Sequence, residues 1–228
     1  GVVIADAPLV NYVPLSLTGE DVTTQWTMGV VEKAGLLKMD FLGLRTLSTL
    51  QRAVDLVREH RGETVRLEDL EPEDPEVFGL FGRGETKGIF QFESAGMRDL
   101  LQKMQPDRFA DLIAANALYR PGPMEMIGDY IDRKHGRAEY HFPHEVLHEV
   151  LDESYGIMAY QEQVMQILNR LGDIPLRRAY TLIKAISKKK DDVIAAEEAA
   201  FKTGCKEKKL PAGLVEQTWE LITRFGGY

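Results

Sequence analysis

The chain has 228 residues, of which 44% are hydrophobic and 28% are charged, and this is enough to form one or two domains with buried cores. The single cysteine, Cys205, excludes an internal disulfide and fits a reducing compartment, so we expect a cytoplasmic protein with an unreactive thiol. The net charge of −8 argues against nucleic-acid binding over the whole surface, and neither a signal peptide nor an apolar run near the ~20 residues of a membrane span is recognisable.

The first part of the chain combines short strands with one long helix. Residues 1–5 are rich in valine and predict a strand, and residues 36–42 predict another. Thr46 is expected to cap a helix that runs to about His60, and Gly62 is expected to end it. The change from strands to helices predicts a domain boundary at this point.

The rest of the chain, residues 63–228, is predicted to be helical apart from one short strand at residues 88–92. Helices are predicted at residues 75–81, 95–104 (with Ser94 as its cap), 107–119, 125–135, 144–151, 160–171, 175–187, 191–207 and 212–223. The fold class is therefore α+β and mostly helical, with domains at residues 1–62 and 63–228.

The strand at residues 36–42 contains the first candidate site. With a period of two residues, Leu37, Met39 and Phe41 share one face, which is expected to pack into a core. Lys38 and Asp40 share the opposite face, roughly 7 Å apart along the strand. A carboxylate beside a cation on a rigid strand suits the binding of Mg²⁺ next to a polyphosphate. An ordinary solvated strand face is the alternative.

Six motifs follow one another over nearly the whole chain. They lie at residues 35–47, 88–97, 118–123 (with Arg120-Pro121-Gly122-Pro123), 130–136, 154–165 (with Tyr160-Gln161-Glu162-Gln163) and 225–228. In this order they resemble the C-family of bacterial replicative DNA polymerases, the polymerase III α subunits. The resemblance implies a fragment with the end of the palm domain, residues 1–62, and most of the fingers domain, residues 63–228.

The resemblance also implies a function. It is DNA-directed DNA synthesis, in which dNTPs are added to a primer 3′ end by two-metal nucleotidyl transfer. Asp40 would be one of three catalytic aspartates and a Mg²⁺ ligand, and Lys38 would contact the triphosphate. The other two aspartates form an Asp-x-Asp pair in the family, and no such pair precedes Asp40 here, so the fragment alone is predicted to be inactive.

Partners follow from the same resemblance. Primer–template DNA and dNTPs are implied as the ligands of the parent enzyme. A sliding clamp and other replisome subunits are implied as partners through regions outside this chain, and no membrane is involved.

The helix at residues 175–190 is the second candidate site. One of its faces is predicted to be a basic ridge, formed by Arg177, Thr181, Lys184 and Lys188. Another face is predicted to be apolar and to pack on the protein core, and it is formed by Ala179, Leu182 and Ile186. We assign Lys184 and Lys188 to nucleotide binding, and Arg177, Arg178 and Lys189 to DNA binding. The alternative is a solvated helix end whose lysines complement the helix dipole.

This helix departs from the family pattern. The family usually has two adjacent arginines before the lysine run, and they contact the triphosphate. Here Ile183 and Lys184 take their places, which puts this nucleotide clamp in doubt. Compensation by Arg177 or Arg178 is one hypothesis. Tyr228 matches a family aromatic near the nucleotide, and the family's Gly-Phe-Asn-Lys-Ser-His continuation does not follow it.

Other interpretations remain open at this point. Arg120 is interpreted as capping the carbonyls of the preceding helix in preference to binding a DNA phosphate. The whole chain is alternatively a non-catalytic helical nucleic-acid-binding module or a degenerate polymerase paralogue. A third reading is a zinc metalloprotease, because His144 and His148 match the letters of the His-Glu-x-x-His motif, although no third ligand is evident.

Overall fold

A computed structural model describes residues 1–226 of the chain. It divides into two compact units, of which the first is Gly1–Asp69 and the second begins at Leu70. The described residues form eleven α-helices and four short strands, which confirms the mostly helical α+β class. No helix in this part of the chain is both long and apolar enough to cross a membrane.

The first unit contains all the strands of the described chain. Its elements are β1 (Val2–Ile4), β2 (Leu15–Thr18), β3 (Asp21–Thr24), α1 (Met28–Lys33), β4 (Leu37–Met39) and α2 (Thr46–Arg61). Strand β1 pairs with β4, and β2 pairs with β3, both antiparallel. The β2–β3 hairpin turns at Gly19, whose positive φ of 65° suits a residue without a Cβ atom. The hairpin and α1 were not predicted from the sequence.

The burial of β4 is the reverse of the prediction. Leu37 and Met39 are instead 59% and 43% exposed. The small core lies on the other side of the sheet, where Val3 packs with Val13 and Val31. The expectation of an apolar face packed into a core was therefore wrong. The strand is also shorter than predicted, and Phe41 lies beyond its end.

The ends of α2 were predicted with mixed success. Gly62 adopts a left-handed conformation with φ of 68°, and its N–H donates to the carbonyl of Arg58, so the helix ends as expected. Thr46 is the first helical residue, not the cap. The N-cap position belongs to Arg45, whose side chain makes no capping hydrogen bond.

The second unit is helical throughout its described residues. Its helices are α3 (Pro75–Gly82), α4 (Ala95–Met104), α5 (Phe109–Leu118), α6 (Ile127–Lys134), α7 (Glu145–Leu151), α8 (Gln161–Gly172), α9 (Leu176–Ser187), α10 (Asp191–Glu207) and α11 (Ala212–Gly226). Asp74 caps α3 and Ser94 caps α4 by accepting hydrogen bonds from first-turn N–H groups.

The strand predicted at residues 88–92 is absent from the described chain, and turns take its place. The Thr86 hydroxyl donates to the carbonyl of Phe92 at 2.6 Å, and Gln91 has a positive φ of 68°. This hydrogen bond and the left-handed conformation of Gln91 fold the segment back on itself. An extended conformation would have needed a neighbouring strand to satisfy its backbone, and the second unit offers none in its described residues.

Two apolar cores stabilise the second unit. One lies among α3–α6 and includes Leu101 and Met104, and the other lies among α7–α11 and includes Phe201 and Trp219. Helices α8 and α10 approach each other closely at Gly172 and Gly204. This approach is possible because Gly204 has no Cβ atom, which would overlap the backbone of Gly172. Cys205 lies in the second core, and burial raises the pKa of its thiol to about 11. Little reactive thiolate is then present at neutral pH, which agrees with the unreactive thiol predicted from the sequence.

Candidate functional site

Lys38 and Asp40 are brought together at the end of β4. The Lys38 Nζ donates to Asp40 Oδ1 at 2.5 Å, so the two side chains share one side of the backbone as predicted. The Asp40 side chain is 73% exposed and that of Lys38 is 25% exposed. The hydrogen bond and the charge of Lys38 lower the pKa of Asp40, so this carboxylate takes up a proton only at a lower pH than an ordinary aspartate.

Lys38 also borders a cleft of the first unit. The cleft has a volume of about 610 Å³, and its walls come from β1, the β2–β3 hairpin and α1. Thr23 and Thr24 contribute side chains with hydroxyls, and Val3 and Val31 contribute apolar surface. Lys38 therefore borders both a largely apolar cleft and the exposed Asp40 carboxylate.

The chemistry of the Asp40 site fits part of a metal site. Carboxylate oxygens are the ligands that Mg²⁺ prefers, and the Asp40 side chain is largely exposed, with its Oδ1 hydrogen-bonded to Lys38. Within residues 1–226, no group of three or more His, Cys, Asp and Glu side chains is arranged to hold a metal ion. Asp40 therefore suits one protein ligand of a site whose other ligands come from elsewhere.

The histidines of the protease-like motif have structural partners. The His144 Nδ1 accepts a hydrogen bond from the Val146 N–H at 3.1 Å, so this ring caps α7. The His148 ring packs edge-on against Phe142, and its Nε2 lies 3.8 Å from Asp152. His144 thus precedes the helix instead of sharing a helical face with His148, and the zinc interpretation loses its geometric basis.

Helix α9 has the two faces that its sequence predicts. Ala179, Leu182 and Ile186 are buried in the second core. The four residues of the basic ridge are exposed: Arg177, Thr181, Lys184 and Lys188. The helix ends at Ser187, and the Lys190 N–H donates to the carbonyl of Ala185 to close the last turn.

The cationic side chains of this region differ in whether they already contact another side chain. Arg178 forms two hydrogen bonds with Glu197 of α10, at 3.1 and 2.8 Å. The Lys184 Nζ lies over the Tyr180 ring, 4.4 Å from its centre. Arg177 has no such partner among the described residues. Lys189 has a positive φ of 52°, so its position is set by the helix end.

A cleft in the second unit brings three of the sequence motifs together. It has a volume of about 340 Å³. Its walls are the turn after α5, with Arg120, Pro121 and Pro123, then residues 159–162 at the start of α8, then Ile183 and Ser187 of α9, and Phe225 of α11. Sequence reasoning missed this convergence, because the segments lie tens of residues apart and carry no common pattern.

Arg120 does not cap the preceding helix. Its guanidinium makes no hydrogen bond to a carbonyl in the described chain, so that interpretation was wrong. The turn that carries it is held by the Met124 N–H, which donates to the carbonyl of Arg120 at 3.1 Å, and by Gly122 with a positive φ of 100°. The side chain instead borders the cleft.

The start of α8 is organised by Gln163. Its Oε1 accepts from the backbone N–H groups of Ala159 and Tyr160, at 2.8 and 3.0 Å, and its Nε2 donates to the buried Ser154 hydroxyl. Burial raises the pKa of Tyr160 to about 12, so its hydroxyl stays protonated. Gln161 and Glu162 are exposed in the cleft, whereas Gln163 is structural. The predicted nucleotide contact at Tyr228 lies outside the described residues.

Comparison with known proteins gives two family matches. Residues 46–209 match the bacterial DNA polymerase III alpha subunit finger domain, and residues 1–43 match the bacterial DNA polymerase III alpha NTPase domain.

Similar full-length proteins are the DNA polymerase III alpha subunits of three bacteria. The chain is 42% identical to that of Bacillus subtilis, 44% identical to that of Halalkalibacterium halodurans and 44% identical to that of Aquifex aeolicus. Each alignment covers 100% of this chain and 20% of the relative. The chain thus spans about a fifth of the length of the curated relatives that it matches.

Proposed function

Because the chain belongs to the bacterial DNA polymerase III alpha subunit family, we propose that it is part of a DNA-directed DNA polymerase that extends a primer 3′ end with dNTPs. The observation that carries this proposal is the ionised, exposed Asp40 carboxylate with Lys38 hydrogen-bonded beside it. Residues 1–62 are proposed as the end of the palm and residues 63–228 as most of the fingers.

Asp40 is proposed as one ligand of Mg²⁺. Bound Mg²⁺ would supply neutralisation of the charge that develops on the transferred phosphoryl group. Lys38 orients the carboxylate by donating one hydrogen bond, and its ammonium keeps two further N–H donors. Those donors suit the oxygens of a triphosphate, for which a compact positive charge is the usual protein partner. The two side chains together would thus bind and orient the metal ion and the triphosphate.

The second unit is proposed to hold nucleotide and DNA. Lys184 and Lys188 are assigned to the nucleotide, and Arg177 and Lys189 to the DNA backbone; all four are exposed. Arg178 is assigned to DNA as well, but it must first leave its ion pair with Glu197. The proposal for Tyr228 as a nucleotide contact rests on the family resemblance alone.

Several wider features belong to the same proposal. The names of the relatives support DNA and dNTPs as ligands of the whole protein. A sliding clamp and other replisome subunits are proposed as partners through regions outside this chain, in a cytoplasmic enzyme. The chain by itself is proposed to be inactive, because it offers a single carboxylate where two Mg²⁺ ions need more.

A segment exchange tests the proposal. This chain would replace the matching segment of the Bacillus subtilis relative, and primer extension would be measured for the hybrid and its variants. Asp40→Asn should lower the extension rate by about 100-fold or more, since even indirect supports of a metal ligand are worth 10–100-fold. Glu20→Gln, an exposed acid in the β2–β3 turn, is the matched control and should leave the rate unchanged.

A second measurement does not depend on the hybrid. Mn²⁺ added to the isolated chain should broaden the NMR signals of Asp40 and Lys38 selectively, and Asp40→Asn should abolish this effect. Templated synthesis by the chain alone would overturn the proposed inactivity of the fragment. Full extension by the Asp40→Asn hybrid would overturn the catalytic role of this carboxylate.

The second candidate function is a non-catalytic nucleic-acid-binding module. It is favoured by Ile183, an apolar side chain in the cleft of the second unit, and by the engagement of Arg178 with Glu197. An unaltered hybrid that binds primer–template DNA without extending it would support this function. An unaltered hybrid that extends the primer would exclude it.

A further inference from the structure

The cleft of the second unit has a single cationic side chain in its lining, Arg120. The α9 residues that line it are Ile183 and Ser187, so this helix contributes an aliphatic and a hydroxyl side chain there. Lys184, the next residue of α9, is turned toward the ring of Tyr180. Positive charge in the cleft therefore comes from the turn after α5.

Arg120 is also unusual among the arginines of its unit. Other arginines there are engaged by acids or carbonyls, as Arg178 is by Glu197 and Arg108 is by Asp111. Among the described residues of this unit, Arg120 and Arg177 are the arginines whose side chains make no hydrogen bond, ion pair or ring contact. Of these two, Arg120 is the one in a cleft.

The turn holds Arg120 in a fixed place. Pro121 and Pro123 restrict the backbone on its C-terminal side, and the Arg120 N–H donates to the carbonyl of Leu118 at 2.8 Å. A guanidinium on such a turn loses less freedom when it binds an anion than one on a mobile loop. Five N–H donors in a planar fork match the oxygens of a phosphate.

The rest of the cleft suits the other parts of a nucleotide. Pro121 and Phe225 give it apolar surface, and Gln161 and the Tyr160 hydroxyl give it hydrogen-bonding groups. Ile183 also borders the cleft but is only 3% exposed, so α9 offers little side-chain surface there. The cleft volume of about 340 Å³ falls within the range of about 300–1,000 Å³ for small-molecule sites.

We infer that Arg120 binds a phosphate group of a nucleotide in this cleft, with the sugar or base against the apolar surface of Pro121 and Phe225. The inference rests on the proposed function for the identity of the ligand. Both a dNTP and a nucleotide of a DNA strand carry this chemistry. Arg120 thereby supplies a cation within the cleft lining, to which α9 contributes Ile183 and Ser187, in addition to the lysines that α9 exposes outside that lining.

Glu162 sharpens the inference. It lines the same cleft, it is exposed, and it forms no ion pair with Arg120 in the structure. A carboxylate there repels a phosphate, so Glu162→Gln is expected to strengthen phosphate binding while Arg120→Gln weakens it. Opposite effects from two neighbours are not expected if the variants merely perturb folding.

The test uses the whole chain and side-chain NMR of its arginines. The Nε signal of Arg120, assigned through Arg120→Lys, would be followed during titration with sodium tripolyphosphate, dATP, deoxyadenosine and a short single-stranded oligothymidylate. The signal should shift with the phosphate-bearing probes and not with deoxyadenosine. A stronger response to dATP than to the oligonucleotide identifies a dNTP site, and the reverse identifies a DNA-strand site.

The dissociation constants of the variants measure how much Arg120 contributes to binding. Arg120→Gln should raise the dissociation constant for the better probe by at least about tenfold, as expected for one lost hydrogen bond to a charged group. Arg120→Lys should lose less, and Glu162→Gln should bind more tightly than the unaltered chain. Lys87→Gln is the control, because it removes an exposed charge remote from the cleft lining. An Arg120 signal that no probe shifts overturns the inference.

The inference and the proposed function can fail separately. In the hybrid polymerase, Arg120→Gln should raise the KM for dNTP or for DNA and leave kcat within about twofold, as a loss of uniform binding does. If Asp40→Asn abolishes extension while Arg120→Gln changes neither KM, the inference is wrong and the polymerase function stands. If Arg120 binds the probes while Asp40→Asn leaves extension intact, the phosphate site stands and the catalytic proposal falls.

Discussion

In the second unit, Phe201 is fully buried and its ring lies 5.6 Å from that of Trp219, whereas in the first unit Phe41 is 71% exposed. The same contrast holds for the aliphatic residues of each unit, with Leu182 buried and Leu37 open to solvent. The helical unit buries most of its large apolar residues in its two cores, with exceptions such as Phe90 and Phe109 at its surface. The strand unit leaves much of its apolar surface open, so its stability must be lower per residue.

The contrast also separates two kinds of site. The Lys38–Asp40 pair lies on a sparsely packed unit, and the pKa of the exposed Asp40 carboxyl is lowered chiefly by its hydrogen bond with Lys38. The Arg120 cleft is a depression in a well-packed unit, with walls fixed by helices and a proline-rich turn. Binding at the cleft therefore needs little reorganisation, while the geometry at Asp40 depends on a short strand of Leu37–Met39.

The largest expected effect comes from two phenylalanines in opposite environments. Phe201→Ala should lower the free energy of unfolding by about 4 kcal/mol, because it removes buried contacts and leaves a cavity. Phe41→Ala should change it by less than about 0.5 kcal/mol, because the side chain is already solvated. Urea unfolding followed by far-ultraviolet circular dichroism measures both. Equal losses for the two variants would refute the contrast between the units.

Sequence patterns predicted local structure well in both units. The helix expected at residues 191–207 coincides with α10, Gly62 ends α2, and Ser94 caps α4 as expected. Each of these features depends on neighbours within a few residues of the chain. They were predictable because caps, helix periodicity and left-handed glycines are local in origin.

Burial and convergence were not predictable in the same way. The alternation at Leu37 and Met39 correctly gave their common face, but which face is covered depends on elements distant in the sequence. The cleft around Arg120 joins residues more than a hundred positions apart, and no single-sequence pattern encodes that contact. The one available signal was the arginine inside a proline-rich turn, to which sequence reasoning gave a capping role.

A buried charge cluster gives the next largest effect. The Lys134 side chain is 4% exposed and its Nζ lies 2.9 Å from Asp111, which is fully buried and also accepts from the Tyr130 hydroxyl. Lys134→Met should destabilise the second unit by about 3 kcal/mol, because the buried Asp111 loses the nearer of its two cations and keeps only Arg108, at 3.3 Å. Urea unfolding again measures the loss.

A paired replacement identifies the cause of that loss. Adding Asp111→Asn to Lys134→Met should recover part of the lost stability, because no buried carboxylate then remains without its cation. Arg137→Met, which breaks the exposed pair with Asp132, is the control and should cost less than about 1 kcal/mol. An equal loss for Lys134→Met and Arg137→Met would contradict the role assigned to burial.

Cys205 reports the same contrast through reactivity. Burial raises the pKa of its thiol from 9.0 to about 11, which leaves about a hundredfold less thiolate near neutral pH. The rate of reaction with a thiol-specific disulfide reagent should therefore be at least about a hundredfold below that of the unfolded chain. Phe201→Ala should accelerate this reaction, because it loosens the core that covers Cys205, and Phe41→Ala should not. Rapid labelling of the unaltered folded chain would contradict the buried position of the thiol.

The smallest change in stability is expected on the open face of the β1–β4 sheet. Val2, Ile4, Leu37 and Met39 are paired across this sheet and share its exposed face. A double change, Leu37→Thr with Met39→Thr, keeps residues that favour strands and removes apolar surface that is already in water. The free energy of unfolding should therefore change by less than about 0.5 kcal/mol.

The same double change should alter surface behaviour, because an exposed apolar patch binds hydrophobic dyes and promotes association. Fluorescence of anilinonaphthalene sulfonate added to the folded chain should fall in the Thr variant. The Phe41→Ala variant, altered beyond the strand, should lower it less. A destabilisation above about 1 kcal/mol would mean that Leu37 and Met39 are packed after all, and it would remove the distinction between a self-contained helical unit and an open strand unit.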